Sequence, residues 1–258
     1  MDDVIFVFTT AVLVVSCLLV GYRLSKVTRS VEQYYFEKRK MGFFSLSLTL
    51  LATQIGGGAV IGSAETAYFK GLQSFYYALG ISAGFVMISC GLGTRLFQMG
   101  AQTIPDIFSL KYTSFFMKRV VACCSVFTLF LILTAVLIAG RKLFYSLGFT
   151  QDIFFVLAVI AFIVYTSQGG LKAVVYTDLI QISFVILIFV VTSFVFLSKH
   201  KLQFSHDTLN LKQITTIFSD KNFLMPFMFT VIGQDMGQRY MSARSTVQLN
   251  VSTLFSAL

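Results

Sequence analysis

The chain has 258 residues, of which 56% are hydrophobic and only 12% charged, with a mean hydropathy of +0.81. A soluble domain carries roughly 25% charged residues, so this chain has too little charge to cover a surface that faces water. Its net charge of +9 raises the question of nucleic acid, which the placement of the basic residues answers.

Crossing a hydrocarbon core of about 30 Å takes around 20 apolar residues in a helix. Charge-free runs of that kind recur along the chain, and they are apolar all round, without the period-two alternation of barrel strands. Backbone groups in lipid must be satisfied internally, so the runs are read as helices. The first, Val4–Tyr22, lacks the basic leader and small-residue cleavage site of a signal peptide and is read as a spanning segment.

The second run, Gly42–Ala64, contains LATQIGGGAVIG over Leu51–Gly62. Each glycine in a helix interior costs about 1 kcal/mol relative to alanine, so the run needs a reason. One reading is close helix packing through the Gly58–Gly62 pair. The other is a discontinuous helix whose unwound carbonyls face a cavity and coordinate a cation, with the interruption near Gln54–Gly58 and Gly56 and Gly57 at its centre. Gln54 and Glu65 are polar candidates for the same site, since acids inside a membrane are rare and usually face the interior. Glu65 also fits the outer interface beside Lys70.

The third and fourth runs, Gly71–Thr94 and Val120–Gly140, read as general membrane filler. The fifth, Ile153–Leu171, leads through Gly169 and Gly170 into GGLKAVVYTDLIQ and the sixth run, Leu179–Ser198. On a helix, Thr177 and Gln181 share a face with Asp178 beside it. Thr177 or Asp178 capping the helix start and a functional polar cluster are both compatible with that spacing.

After a polar stretch, Lys199–Lys221, whose His200 and His206 read as solvated, the seventh run covers Asn222–Gln234 and, interrupted by Asp235, stays largely apolar to Met241. Its end, GQDMGQRYMSAR, places Gln234, Asp235 and Gln238 in the inner half. An ionised aspartate facing lipid costs about 3 kcal/mol at mid-membrane, so Asp235 is expected to face protein or water. A bridge to Arg239 at i+4 is the structural alternative, and Arg239 and Arg244 read as interface anchors. An eighth run, Ser245–Leu258, is still apolar at its last residue. Cys17, Cys90, Cys123 and Cys124 lie inside the runs without paired spacing and read as small buried hydrophobes.

The basic residues alternate with these runs. Arg23, Lys26, Arg29, Lys38, Arg39, Lys40, Arg95, Lys111, Lys118, Arg119, Lys172, Arg239 and Arg244 fall on one side, against Lys70, Arg141, Lys142, Lys199, Lys201, Lys212 and Lys221 on the other. The positive-inside rule puts the richer side in the cytoplasm and the N-terminus outside. The basic excess is therefore topology, and no nucleic-acid partner is expected. No metal-spaced His/Cys cluster, nucleophile–base pair or phosphate loop stands in the sequence, so an enzyme is not expected either.

At three places the chain resembles the sodium:solute symporter family, the proline, pantothenate and sugar-type sodium symporters. GGLKAVVYTDLIQ is similar to the family signature at Gly169, Gly170, Leu171, Ala173, Val174, Thr177, Asp178 and Gln181. ATQIGGGAVIG resembles the sodium-site helix and GQDMGQRYMSARS the inner gate helix, in the family's order and spacing. The resemblance implies an all-α integral membrane fold of the inverted-repeat (LeuT-type) kind. Residues 1–258 then form a single membrane domain: an extra helix over 3–22, a first five-helix repeat over 42–198, and the start of a second over 222–258. It implies a multi-pass protein of the plasma (inner) membrane that couples sodium entry to symport of a small organic solute, with no organic cofactor.

Sodium would be held by backbone carbonyls matching Ala52 and Ile55, with Asp178 close by and hydroxyls from a second-repeat helix beyond Leu258. The family's gate aromatic would fall near Asp235, where none stands. Family members are about twice as long, so the expectation is an N-terminal portion, not competent alone and served by a second polypeptide carrying the remaining helices. The alternative is a non-transporting membrane module, either a sensor or a remnant of a split or decayed symporter gene.

Overall fold

A computed structural model describes residues 2–26, 34, 41–149, 151–199 and 217–258. Its elements are helical, and each apolar run of the sequence falls in a helix or a pair of helices, the fifth and sixth sharing one. The first run is α1 (Asp2–Ser25). The second is split into α2 (Phe43–Gln54) and α3 (Gly57–Lys70). After a turn at Gly71 (φ 57°) come α4 (Phe75–Met87), a wide turn over Ile88–Leu92, and α5 (Gly93–Gln98). The short α6 (Ile104–Tyr112) precedes α7 (Phe115–Ser146) and the long α8 (Asp152–Lys199). The chain then forms α9 (Lys221–Ile232), α10 (Gln234–Met241) and α11 (Thr246–Ala257).

The lengths suit a bilayer. At 1.5 Å per residue, α7, with 32 residues, is long enough to cross, as is the part of α8 after Gly169, with 31. α7 buries no residue at all, and Phe115, Phe116 and Val126 stand exposed along it. In water that face would be untenable; in lipid it is the expected surface.

Two predicted boundaries move. α8 runs through the predicted turn at Gly169–Gly170, with Gly170 at φ 61° the single non-helical point inside it. A side chain there would also collide with the Tyr34 carbonyl, 2.4 Å from an ideal Cβ, so both backbone freedom and space require glycine. Helix resumes at once after it, and Thr177 and Asp178 therefore lie two turns inside the helix. They do not cap it; Thr177 Oγ1 donates to the Val174 carbonyl at 2.9 Å. The seventh run is likewise not one helix, because Gly233 takes ψ 136° and separates α9 from α10.

The third run is more than filler. Gly80 and Gly84 on α4 let α9 approach so closely that an added Cβ would meet the Phe223 carbonyl at 2.3 Å and Thr230 Cβ at 2.6 Å. This is the small-residue helix contact of membrane bundles. The Gly58–Gly62 pair does not play that role, since an added Cβ at either meets nothing within 4 Å. Of the cysteines only Cys17 is buried; Cys90, Cys123 and Cys124 are exposed.

The core gathers around α2, α4, α9, α10 and α11. Leu46, Leu50, Phe85, Ile88, Met236, Ala243 and Leu249 are 0% exposed and Tyr240 1%. α1 packs along α8, and α2 lies between α8 and α11. At one end, Met41 N donates to the Ser242 carbonyl at 3.2 Å, and Gln248 Nε2 to the Met41 carbonyl at 3.0 Å. Those bonds tie Met41, two residues before α2, to the α10–α11 turn and to the first turn of α11.

Candidate functional site

The interruption predicted in the second run is present. α2 ends at Gln54; Ile55 follows at φ −90°, ψ 72° and Gly56 at φ −89°, ψ 164°, before α3 starts at Gly57. Ile55 N still donates to the Leu51 carbonyl at 2.9 Å. Beyond it, no backbone bond among the described residues continues from the carbonyls of Ala52, Thr53 and Gln54. Helix ends leave such carbonyls orphaned, and here the orphans fall inside an apolar run.

Ala52, Ile55, Gly56 and Gly57 line a cavity of about 480 Å³, which Leu13, Val14 and Cys17 of α1 and Ala158, Phe162, Gln181, Ile182, Phe184 and Val185 of α8 complete. Gln181 Nε2 reaches Cys17 Sγ at 3.8 Å. The cavity's other lining residues are apolar side chains and glycine, so the oxygens it can offer a hard cation are backbone carbonyls at the break and the Gln181 amide oxygen.

One helical turn before Ala52, a second polar feature joins three helices. Thr49 Oγ1 on α2 donates to Asp178 Oδ2 on α8 at 2.5 Å. Arg239 on α10 donates through Nη2 to the same carboxylate oxygen at 3.1 Å, through Nε to Thr49 Oγ1 at 3.0 Å, and through Nη1 to the Asp235 carbonyl at 3.1 Å. The side chains of Arg239 and Asp178 are 8% and 14% exposed, so the pair is buried. Asp178 lies inside the bundle, bonded to Thr49 three residues before Ala52. Its partners differ from those the spacing suggested: Thr177 turns back onto its own helix and Gln181 faces Cys17.

Arg239 is the residue that sequence reasoning missed. Its position near the end of an apolar run made it look like an interface anchor, yet it is 6% exposed. It does not bridge the Asp235 carboxylate either; Asp235 Oδ1 accepts from Met236 N at 2.9 Å, at the start of α10. A charge-balance argument held the missing signal, because an acid buried in a bundle calls for a cation, and Arg239 is the basic residue that falls within the seventh, largely apolar stretch.

Gln54 faces the other side of α2. Its Nε2 donates to Thr230 Oγ1 at 2.8 Å, and Thr230 Oγ1 in turn donates to the Pro226 carbonyl at 2.7 Å. The hydroxyl proton is thereby committed, which fixes the amide orientation and leaves Gln54 Oε1 buried without a partner. Gln234 Oε1 is also buried and unpartnered, beside an apolar cavity of about 770 Å³ between α4, α6, α7 and α9. Gln238 is half-buried and accepts from Ser242 Oγ at its carbonyl, 2.7 Å away. Glu65 is exposed on α3, apart from this cluster. The structure thus brings Ala52, Ile55, Gly56, Gly57 and Gln181 to one cavity, and Asp178 to Thr49, three residues before Ala52. Gln54, Gln234 and Asp235 lie towards the second broken helix. His200 and His206 lie outside the described residues.

Comparison with known proteins gives a consistent result. The model of a family described as the sodium:solute symporter family matches residues 34–254. Among curated proteins, the sodium/proline symporter of Salmonella typhimurium (strain LT2) is 26% identical over 194 residues, covering 71% of this chain and 38% of that protein. The sodium/proline symporter of Escherichia coli (strain K12) is 25% identical with the same coverage. The chain spans well under half the length of these relatives.

Proposed function

The chain belongs to the sodium:solute symporter family, and on that premise we propose that it carries the cation-coupling part of a secondary transporter that moves a small organic solute inward with sodium. The observation that carries the reading is the α2–α3 break, where Ala52 and Ile55 border a cavity shared with Gln181 of α8. Broken helices with unwound carbonyls at a cavity are how such bundles coordinate sodium, and carbonyl oxygen is a fitting donor for a small hard cation.

Asp178, one turn away, supplies negative charge that lowers the cost of holding the ion in a low-dielectric site. A sodium ion entering down about 100 mV gains roughly 2.3 kcal/mol, which can be spent on concentrating the solute. The basic loops support an N-terminus outside the inner membrane. The pair of broken helices, α2–α3 and α9–α10, supports an organisation in which residues 42–198 form one repeat and 222–258 open another. The solute is a small organic molecule; proline, in the names of the relatives, is the first to try.

A thiol at the break tests this. Gly57→Cys has room for its side chain, since an added Cβ there meets nothing within 4 Å. In a chain whose native cysteines are serine, sodium should slow modification of that thiol by a small methanethiosulfonate reagent, and potassium should not. Labelled or unlabelled proline should slow it further only with sodium present. Equal rates in sodium and potassium would count against the reading.

A further inference from the structure

We propose that Arg239 is a tethered stand-in for the coupling cation: in this conformation its guanidinium holds the Asp178 carboxylate, and sodium arriving at that carboxylate displaces it and releases α10 from α2 and α8. The inference rests on the α2–α3 break being the sodium site.

The hydrogen-bond pattern is what a competing cation requires. Both bonds to Asp178, from Thr49 and from Arg239, converge on Oδ2, and among the described residues none is made to Oδ1. A carboxylate offers about four acceptor positions, so Asp178 has capacity left for an ion. Thr49 Oγ1 accepts from Arg239 Nε while donating to Asp178. Departure of the guanidinium therefore frees a hydroxyl lone pair opposite a carboxylate, two hard oxygens from two helices. Such a pair suits an alkali cation and does not suit a soft metal.

Position makes the exchange relevant to coupling. Thr49 is three residues before Ala52 on α2, and Asp178 is three residues before Gln181 on α8; Ala52 and Gln181 both line the cavity at the break. An ion in that cavity is thus about one turn from the ion pair along both helices. Arg239 is the side chain through which α10 is bonded to both of those helices. A ligand shifts a conformational equilibrium only by its differential affinity for the two states. Competition for one carboxylate provides that difference directly: sodium binds better where Arg239 has left, and Arg239 leaves only when α10 is free.

The experiment is thermal unfolding of the full chain in nanodiscs, titrated with sodium chloride against potassium chloride at constant ionic strength. R239A should respond to sodium with a midpoint on the order of tenfold lower than the unaltered chain, a typical coupling between linked sites. R239Q, which keeps more of the side chain's packing, is carried alongside and should shift the same way should R239A not fold. D178N/R239A should lose the shift. Millimolar guanidinium chloride should stabilise R239A by refilling the vacated place, and should do nothing for D178N/R239A. A sodium midpoint that R239A and R239Q leave unmoved, or raise, overturns the exchange role alone. No sodium response in any variant, with guanidinium still stabilising R239A, overturns the transport reading and the exchange role together.

Discussion

Two of the glycine interruptions in the apolar runs, at Ile55–Gly56 and at Gly233, are built in opposite ways. Around the first, at Ile55–Gly56, space is left open: an added Cβ at Gly56, Gly57, Gly58 or Gly62 meets nothing within 4 Å, and α3 beyond it buries no residue. Around the second, at Gly233, space is filled: an added Cβ meets the Phe229 carbonyl at 2.4 Å and Asp235 Oδ1 at 3.2 Å. The first break exposes backbone to a cavity, and the second re-aims a short helix so that Arg239 reaches across to Asp178 and Thr49. One break makes a place for an ion; the other delivers a side chain that occupies the adjoining acid.

The comparison predicts a graded series of substitutions, with thermal unfolding of the chain in nanodiscs as the measure. The largest effect is expected where the two breaks are joined. Arg239→Leu leaves Asp178 as a buried acid without its cation and should cost about 3–5 kcal/mol. Asp178→Asn leaves the guanidinium stranded and should cost a comparable amount. A loss below about 1 kcal/mol for both would mean that the pair is not buried as described.

Next come the filled glycines. Gly233→Ala and Gly84→Ala force an atom against the Phe229 carbonyl and Thr230 respectively, and overpacking of this kind costs roughly 1–3 kcal/mol. Gly58→Ala and Gly62→Ala should do the reverse, because α3 is helical and open there. Exchange of glycine for alanine in a helix is worth about 0.5–1 kcal/mol in alanine's favour. If Gly58→Ala destabilised as much as Gly233→Ala, the two breaks would not differ in the way proposed.

The smallest effect lies outside the bundle, at the start of α6. Burial alone would raise the Asp106 pKa, but hydrogen bonds from Lys118 and Thr103 and the Lys118 charge outweigh it and leave it lowered. A lowered acid contributes stability above its unfolded pKa of about 4 and loses it as pH falls through the folded value. Lys118, 2.7 Å away, is 42% exposed and Asp106 23%, so solvent screening keeps the contribution below about 1 kcal/mol. Lys118→Met should therefore flatten the acid limb of the stability profile slightly and leave neutral sodium responses unchanged.

How much of this was legible in the sequence follows from the same contrast. The apolar runs and the first break were readable because glycine triplets inside a spanning helix are costly and need a cause. The second break was not, because Gly233 sits beside Gln234 and Asp235, and polarity alone explained the pattern without a backbone interruption. The helix through Gly170 was hidden for a related reason: one residue at positive φ kinks a helix without ending it, and glycine pairs signal both outcomes equally. The close packing of α4 on α9 was missed because Gly80 and Gly84 stand in an otherwise uniform run, and whether a glycine is spaced for contact depends on what lies opposite. Arg239 shows the limit most clearly. Basic residues near run ends usually snorkel to the interface, and only the third dimension reveals that this one turns inward to an acid sixty-one residues earlier in the chain.

The central claim, that the open break and its neighbouring acid form one cation site, is tested most directly by equilibrium binding of radioactive sodium to the purified chain in nanodiscs. The account predicts saturable binding that excess potassium does not displace and that Asp178→Asn weakens, while Glu65→Gln, on the exposed face of α3, leaves it unchanged. Binding that is absent, or that potassium displaces as well as sodium does, or that Asp178→Asn leaves untouched, would contradict it.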